Sequence, residues 1–169
     1  MEQAQVILGV DPGFHVTGFA LLKKEGGKVY LLDCGYLKMS AERSLVERTG
    51  QFHIFMLDKI TQAGVTEIAL ETSFLGKNPQ TFLKLGYLRG ILYLLAHQHS
   101  LSIYEFAPRE VKAAVTGSGG ASKDQVASMV IRLFPKITQI HSLARNDVTD
   151  ALAVGICGIW RQSSRLQQL

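Results

Sequence analysis

Asp11 and Glu71 each stand where a short apolar run stops, after Val6-Ile7-Leu8-Gly9-Val10 and Glu67-Ile68-Ala69-Leu70, while Asp147 and Asp150 open the small, apolar stretch Ala151-Leu152-Ala153-Val154-Gly155-Ile156. Each acid has a plainer role available: Asp11 a turn cap, Glu71 a solvated charge, Asp147 a partner for a helix dipole. Together they form a pattern, two strands ending on an acid and one helix starting with two. Gathered carboxylates are costly unless neutralised, and their hard oxygens suit Mg²⁺ or Mn²⁺ better than zinc. Two such ions about 3.5–4 Å apart can activate water, steady a leaving oxygen and grip a phosphate, which is a route to phosphodiester cleavage.

Those acids need elements that deliver them to one place. Val6 to Val10 is the pattern of a buried strand entering the Pro12-Gly13 turn, and the runs Val16–Leu22 and Val29–Leu37 flank a polar turn at Lys23–Lys28, so three strands make an antiparallel meander. A helix is expected over Ala41–Ala63 with Ser40 as its N-cap, then a strand into Glu71, a helix over Pro79–His97, a strand over Leu101–Phe106, and helices over 109–115, Ser122–Phe134 and Asp147–Trp160. Gly86 and Gly90, four apart on the second helix, leave room for another helix or chain. The result is an α/β fold with a five-stranded mixed sheet, antiparallel meander plus parallel strands, flanked by helices. Parallel strands place their C-terminal ends on one edge, which brings Asp11 and Glu71 together if the first and fourth strands are neighbours, and the three-residue spacing puts Asp147 and Asp150 on one helix face.

The 169 residues fit one domain, taken as 1–160 with a C-terminal tail at 161–169. With 47% hydrophobic residues, a core is affordable, and with no long apolar run and no basic flank at the start, a cytoplasmic protein without a membrane span is expected. Cys34 and Cys157 read as buried reduced thiols, and His53, His97, His99 and His141 as structural, with His15 a possible phosphate contact. A net charge of +4 and a pI near 9.1 favour a polyanionic partner. Gly117-Ser118-Gly119-Gly120-Ala121-Ser122-Lys123 superficially suggests a phosphate loop, but Ser122 replaces the needed glycine and Asp124 the Ser or Thr, so no ATPase follows.

The segments Gly9-Val10-Asp11-Pro12-Gly13, Glu71-Thr72-Ser73-Phe74, Ala107-Pro108-Arg109-Glu110-Val111-Lys112 and Asp147-Val148-Thr149-Asp150-Ala151-Leu152-Ala153 resemble, in order and spacing, the RuvC family of Holliday-junction resolvases. The resemblance spans nearly the whole chain. It implies an RNase H-like fold, a homodimer, Mg²⁺-dependent paired nicking of four-way junction DNA, with Mn²⁺ as a substitute and two ions per site, and cooperation with the RuvA and RuvB branch-migration proteins. It places Asp11, Glu71, Asp147 and Asp150 on the catalytic, metal-binding acids, Phe74 on a base-stacking aromatic, and Lys112 and Lys123 on the substrate surface. An aromatic in a loop three residues beyond an acid can wedge an opened base step. Lys77 and Asn78, just after it, are further DNA-contact candidates, and Arg109, one turn before Lys112, helps bracket the Gly117–Gly120 loop, which can follow a phosphate backbone. Phe14-His15 and the bulky Val148-Thr149 depart from the family pattern and bear on the shape of the site. An RNA:DNA-hybrid nuclease, which would read 2′-hydroxyls, and a non-catalytic junction binder remain as alternatives.

Overall fold

The protein is described from a computed structural model over residues 4–72, 78–137 and 146–161. Strands β1 (Gln5–Asp11), β2 (Val16–Glu25) and β3 (Lys28–Lys38) form the meander, followed by α1 (Leu45–Ala63), β4 (Glu67–Glu71), α2 (Pro79–Gln98), β5 (Ser102–Phe106), α3 (Pro108–Thr116), α4 (Lys123–Leu133) and α5 (Asn146–Trp160). The sheet order is β3-β2-β1-β4-β5, with β1 parallel to β4 and β4 parallel to β5. The expected mixed five-stranded sheet is therefore present.

Two boundaries differ from expectation by more than one residue. The first helix starts at Leu45 and its cap is Ser44, whose hydroxyl accepts from the Glu47 amide while Glu47 returns to the Ser44 amide at 2.8 Å. Ser40 has Arg43 three residues on and cannot form that reciprocal pair; Ser44 and Glu47 can. The polar stretch Lys23–Lys28 is mostly strand, since pairing continues to Glu25 opposite Lys28. Only Gly26 and Gly27 turn, both at positive φ (55° and 77°), the backbone that a two-residue hairpin requires.

Period-two alternation splits the sheet into two faces. Leu8, Val10, Phe19 and Leu21 pack with Phe52, Met56, Leu88 and Leu92 of α1 and α2, while Ile7, Ala20, Leu22 and Ala69 pack with α3, α4 and α5. α5 is buried from Val148 to Ile159 except at Asp150. Such a helix has its own driving force for docking, since each fully buried Val, Leu or Ile contributes about 1.5–3 kcal/mol. No helix among the described residues is long and apolar enough to cross a membrane.

The thiols of Cys34 and Cys157 are buried, and burial pushes them up to about 11 and about 12, so neither is a ready nucleophile. Arg161, the first residue of the expected tail, is tied down: it pairs with Glu67 at 2.6 Å and lies over the Tyr104 ring.

Candidate active site at the carboxyl edge of the sheet

β1 and β4 run side by side with Val10 opposite Leu70, so Asp11 and Glu71 leave the sheet at the same level. Both fall on the α5 face, two residues beyond Gly9 and Ala69. The strand acids are thus placed by backbone register.

The helix acids are placed by the absence of side chains. A Cβ on Gly18, the register partner of Asp11, would lie 1.8 Å from the Asp147 carbonyl oxygen, and one on Gly9 would lie 2.3 Å from that of Ala151. α5 therefore rests directly on the backbones of β1 and β2, and its first turn lands over Asp11. The spacing of the acids alone did not reveal this seat. Its signal was nonetheless present, as Gly9 and Gly18 interrupt strands otherwise built of larger residues. Thr17, fully buried, was also missed: its hydroxyl donates to the Gly13 carbonyl at 2.8 Å and accepts from the Gly13 amide at 3.2 Å, fixing the turn after Asp11.

Electrostatics join the acids into one group. Burial pushes the Asp11 carboxyl up to about 7, and Asp150, Asp147 and Glu71 add to the rise while Lys123 opposes it. Burial and Asp150 also raise Glu71, whereas Lys123 and Lys112 lower it. Lys123, at the start of α4, reaches Asp150 at 3.4 Å, and that carboxylate is the main reason its own pKa is raised. The lysine side chain is 78% exposed, so this pair adds little stability and is free to exchange partners.

The cluster is open. Among the described residues no three His, Cys, Asp or Glu side chains converge tightly enough to hold an ion without moving. The donor set nevertheless fits a hard divalent cation, because it consists of carboxylate oxygens with a surplus of negative charge. Asp11, Glu71, Asp147 and Asp150 are the residues that can supply such a site.

The basic candidates lie around it. Lys112 is half-buried and Arg109 exposed on α3, and the Arg109 backbone packs against Gly119. Gly117 closes α3 in the left-handed conformation (φ 79°) and Ser122 caps α4 through the Gln125 amide at 3.2 Å, so the glycine-rich stretch is a helix stop followed by a helix start. Asn78 is the N-cap of α2, its side-chain oxygen accepting from the Gln80 and Thr81 amides. Phe74, Lys77 and His141 lie outside the described residues. His15 is exposed with Nδ1 at 3.4 Å from Arg48, and Phe14 is buried under the same guanidinium. Val148 is buried in the helical core and the Thr149 hydroxyl returns to the Asn146 carbonyl, so their bulk is taken up by packing.

Residues 7–158 match the family described as crossover junction endodeoxyribonuclease RuvC. The crossover junction endodeoxyribonuclease RuvC of Pelodictyon phaeoclathratiforme is 43% identical over 166 residues, covering 95% of this chain and 82% of that protein. Its counterpart in Chlorobium phaeobacteroides is 42% identical over 163 residues, covering 96% and 86%. Among solved structures, Thermus thermophilus RuvC in complex with a Holliday junction substrate superposes with a TM-score of 0.83 at 26% identity, covering 92% of this chain and 93% of that one.

Proposed function

Because the chain belongs to the RuvC family of crossover junction endodeoxyribonucleases, we propose that Asp11, Glu71, Asp147 and Asp150 form one Mg²⁺-dependent site that nicks four-way DNA junctions in symmetric pairs. The protein is a nuclease that resolves Holliday junctions in recombination and repair. The observation that carries the metal proposal is the convergence of the acids. Asp11 and Glu71 end paired parallel strands at one level, and the seat at Gly9 and Gly18 brings the first turn of α5 over them, so that burial and the three other acids all raise Asp11. Ionising such a cluster costs free energy that a cation among it offsets.

Asp11, Glu71, Asp147 and Asp150 would hold two Mg²⁺ ions, or Mn²⁺ in their place, which when bound would supply Lewis-acid polarisation of the scissile phosphate and a more acidic water. The chain's residues do the rest. Register holds Asp11 and Glu71 together; the glycine seat brings Asp147 and Asp150 over them. Lys123 gives up Asp150 and turns to a backbone phosphate, aided by Lys112 and Arg109, while the family resemblance assigns Phe74 to base stacking, with Lys77 and Asn78 as further DNA contacts.

Paired nicking calls for two sites, and α2 offers the surface for a second copy. It carries apolar residues on both sides: Leu88, Leu92 and Leu95 face the core, while Leu83, Tyr87 and Leu94 are 56%, 40% and 50% exposed. On the outer side nothing meets a Cβ at Gly86 or Gly90, leaving the backbone open to close approach. RuvA and RuvB, expected from the family resemblance, are the partner proteins proposed for this chain.

The test is to incubate the protein with a synthetic four-way junction and with linear duplex, in Mg²⁺ or EDTA. Symmetric nicks in the junction alone, abolished by EDTA, are expected. Equal nicking of both DNAs, or nicking that survives EDTA, contradicts the proposal.

A further inference from the structure

Among the described residues, the charged side chains that are buried are Arg48 and Arg89, at 6% and 8% exposure. A buried guanidinium costs several kcal/mol unless its donors are engaged. Arg89 engages both arms at the carboxyl edge of the sheet. One nitrogen donates to the Glu71 backbone carbonyl at 2.8 Å, and another pairs with the Glu105 carboxylate at 2.6 Å. The Tyr93 hydroxyl, one turn along α2, donates to the same Glu105 oxygen.

The location gives these contacts meaning. Glu71 is the last residue of β4 and lies opposite Phe106 of β5, with Glu105 immediately before it. The sheet ladder ends here, apart from the Thr72 amide bonding to the Phe106 carbonyl at 2.9 Å. Without Arg89, the final peptide of β4 would be anchored on one side only. A planar fork that holds that carbonyl and the neighbouring strand's carboxylate together fixes the peptide plane, and with it the direction of the Glu71 Cα–Cβ bond.

We propose that Arg89 is a positioning residue for Glu71: from the α2 side of the sheet it locks the end of β4 so that the Glu71 carboxylate points toward Asp11 and Asp150. The inference rests on the metal-site reading above. It assigns the Arg89–Glu105 pair to active-site geometry, and α2 becomes both an outer surface and a brace for the catalytic edge.

The test uses the full chain carrying Arg89→Lys or Glu105→Gln, with Glu71→Gln as reference. Lysine keeps the charge but cannot serve both acceptors in the same plane. Mn²⁺ affinity is measured calorimetrically without DNA, junction affinity in EDTA, folding by circular dichroism, and cleavage across a Mn²⁺ series. For folded R89K, junction affinity within about twofold of the parent, Mn²⁺ affinity lower by about tenfold and cleavage lower by about 10–100-fold are expected, with cleavage recovering as Mn²⁺ is raised. E105Q, which retains the bond to Glu71, should show the same pattern more weakly. Parental Mn²⁺ affinity and rate in folded R89K would overturn the inference, as would unfolding of both variants, which would assign the pair to the fold alone. Parental Mn²⁺ binding by E71Q would instead remove the metal site on which the inference depends.

Discussion

The two halves of the acid cluster are held by different physics. Asp11 and Glu71 sit at the ends of paired parallel strands, where hydrogen-bond register sets their level. Asp147 and Asp150 ride on the first turn of α5, which reaches them only because Gly9 and Gly18 lack side chains. Register is local and tolerant of the neighbours' identity, whereas a helix seated on bare backbone fails with one added carbon. The acids share one electrostatic environment, but their positions have separate points of failure.

The comparison breaks most severely at the acids themselves. Asp11→Asn and Asp150→Asn should each lower junction cleavage by about 10³-fold while leaving junction binding intact, as gel shifts in EDTA will show. Unfolding of either variant would make its acid structural. Next comes the seat. Gly18→Ala should cost about 2–3 kcal/mol in denaturant unfolding and reduce cleavage with it, since its Cβ would meet backbone at 1.8 Å. Gly50→Ala, inside α1 with nothing near its Cβ, should instead gain about 0.5–1 kcal/mol.

A pH series sharpens the contrast further. The Asp11 carboxyl is raised from 3.8 to about 7, so between these values the folded protein holds a proton that the unfolded chain has lost. Metal-free stability should therefore fall as pH rises through that window and level off above it. Asp11→Asn should flatten this dependence and raise the metal-free Tm at pH 8 by about 2–6 °C. Mn²⁺ affinity should rise with pH over the same range. The smallest effect belongs to Lys123→Met, which removes an exposed pair: a change of about 0.5 kcal/mol or less in stability, with a clear loss of junction affinity at low salt.

The strand-borne half of the site was legible in the sequence because an apolar run ending in an acid states both element and position. The pairing of β1 with β4, on which the meeting of Asp11 and Glu71 depends, was only a condition in the sequence and is supplied by the sheet order. The helix-borne half was legible in composition only: the three-residue spacing of Asp147 and Asp150 fixes their common face, but their height above the sheet depends on Gly9 and Gly18, residues distant in the chain. The start of α1 was misplaced because Ser40 and Ser44 both precede an apolar run, and only the latter has a glutamate three residues on. Arg89 was invisible for a related reason, since an arginine in an apolar helix reveals its purpose only when the acceptor, a backbone carbonyl, comes into view.

The claim that these differently anchored acids form one metal site is tested most directly by a crystal structure grown with Mn²⁺ and examined by anomalous scattering. Mn²⁺ ligated by oxygens from both the strand acids and the α5 acids, with Lys123 released from Asp150, is the result expected. Mn²⁺ bound to Asp11 and Glu71 alone, with Asp150 still paired to Lys123, would contradict it.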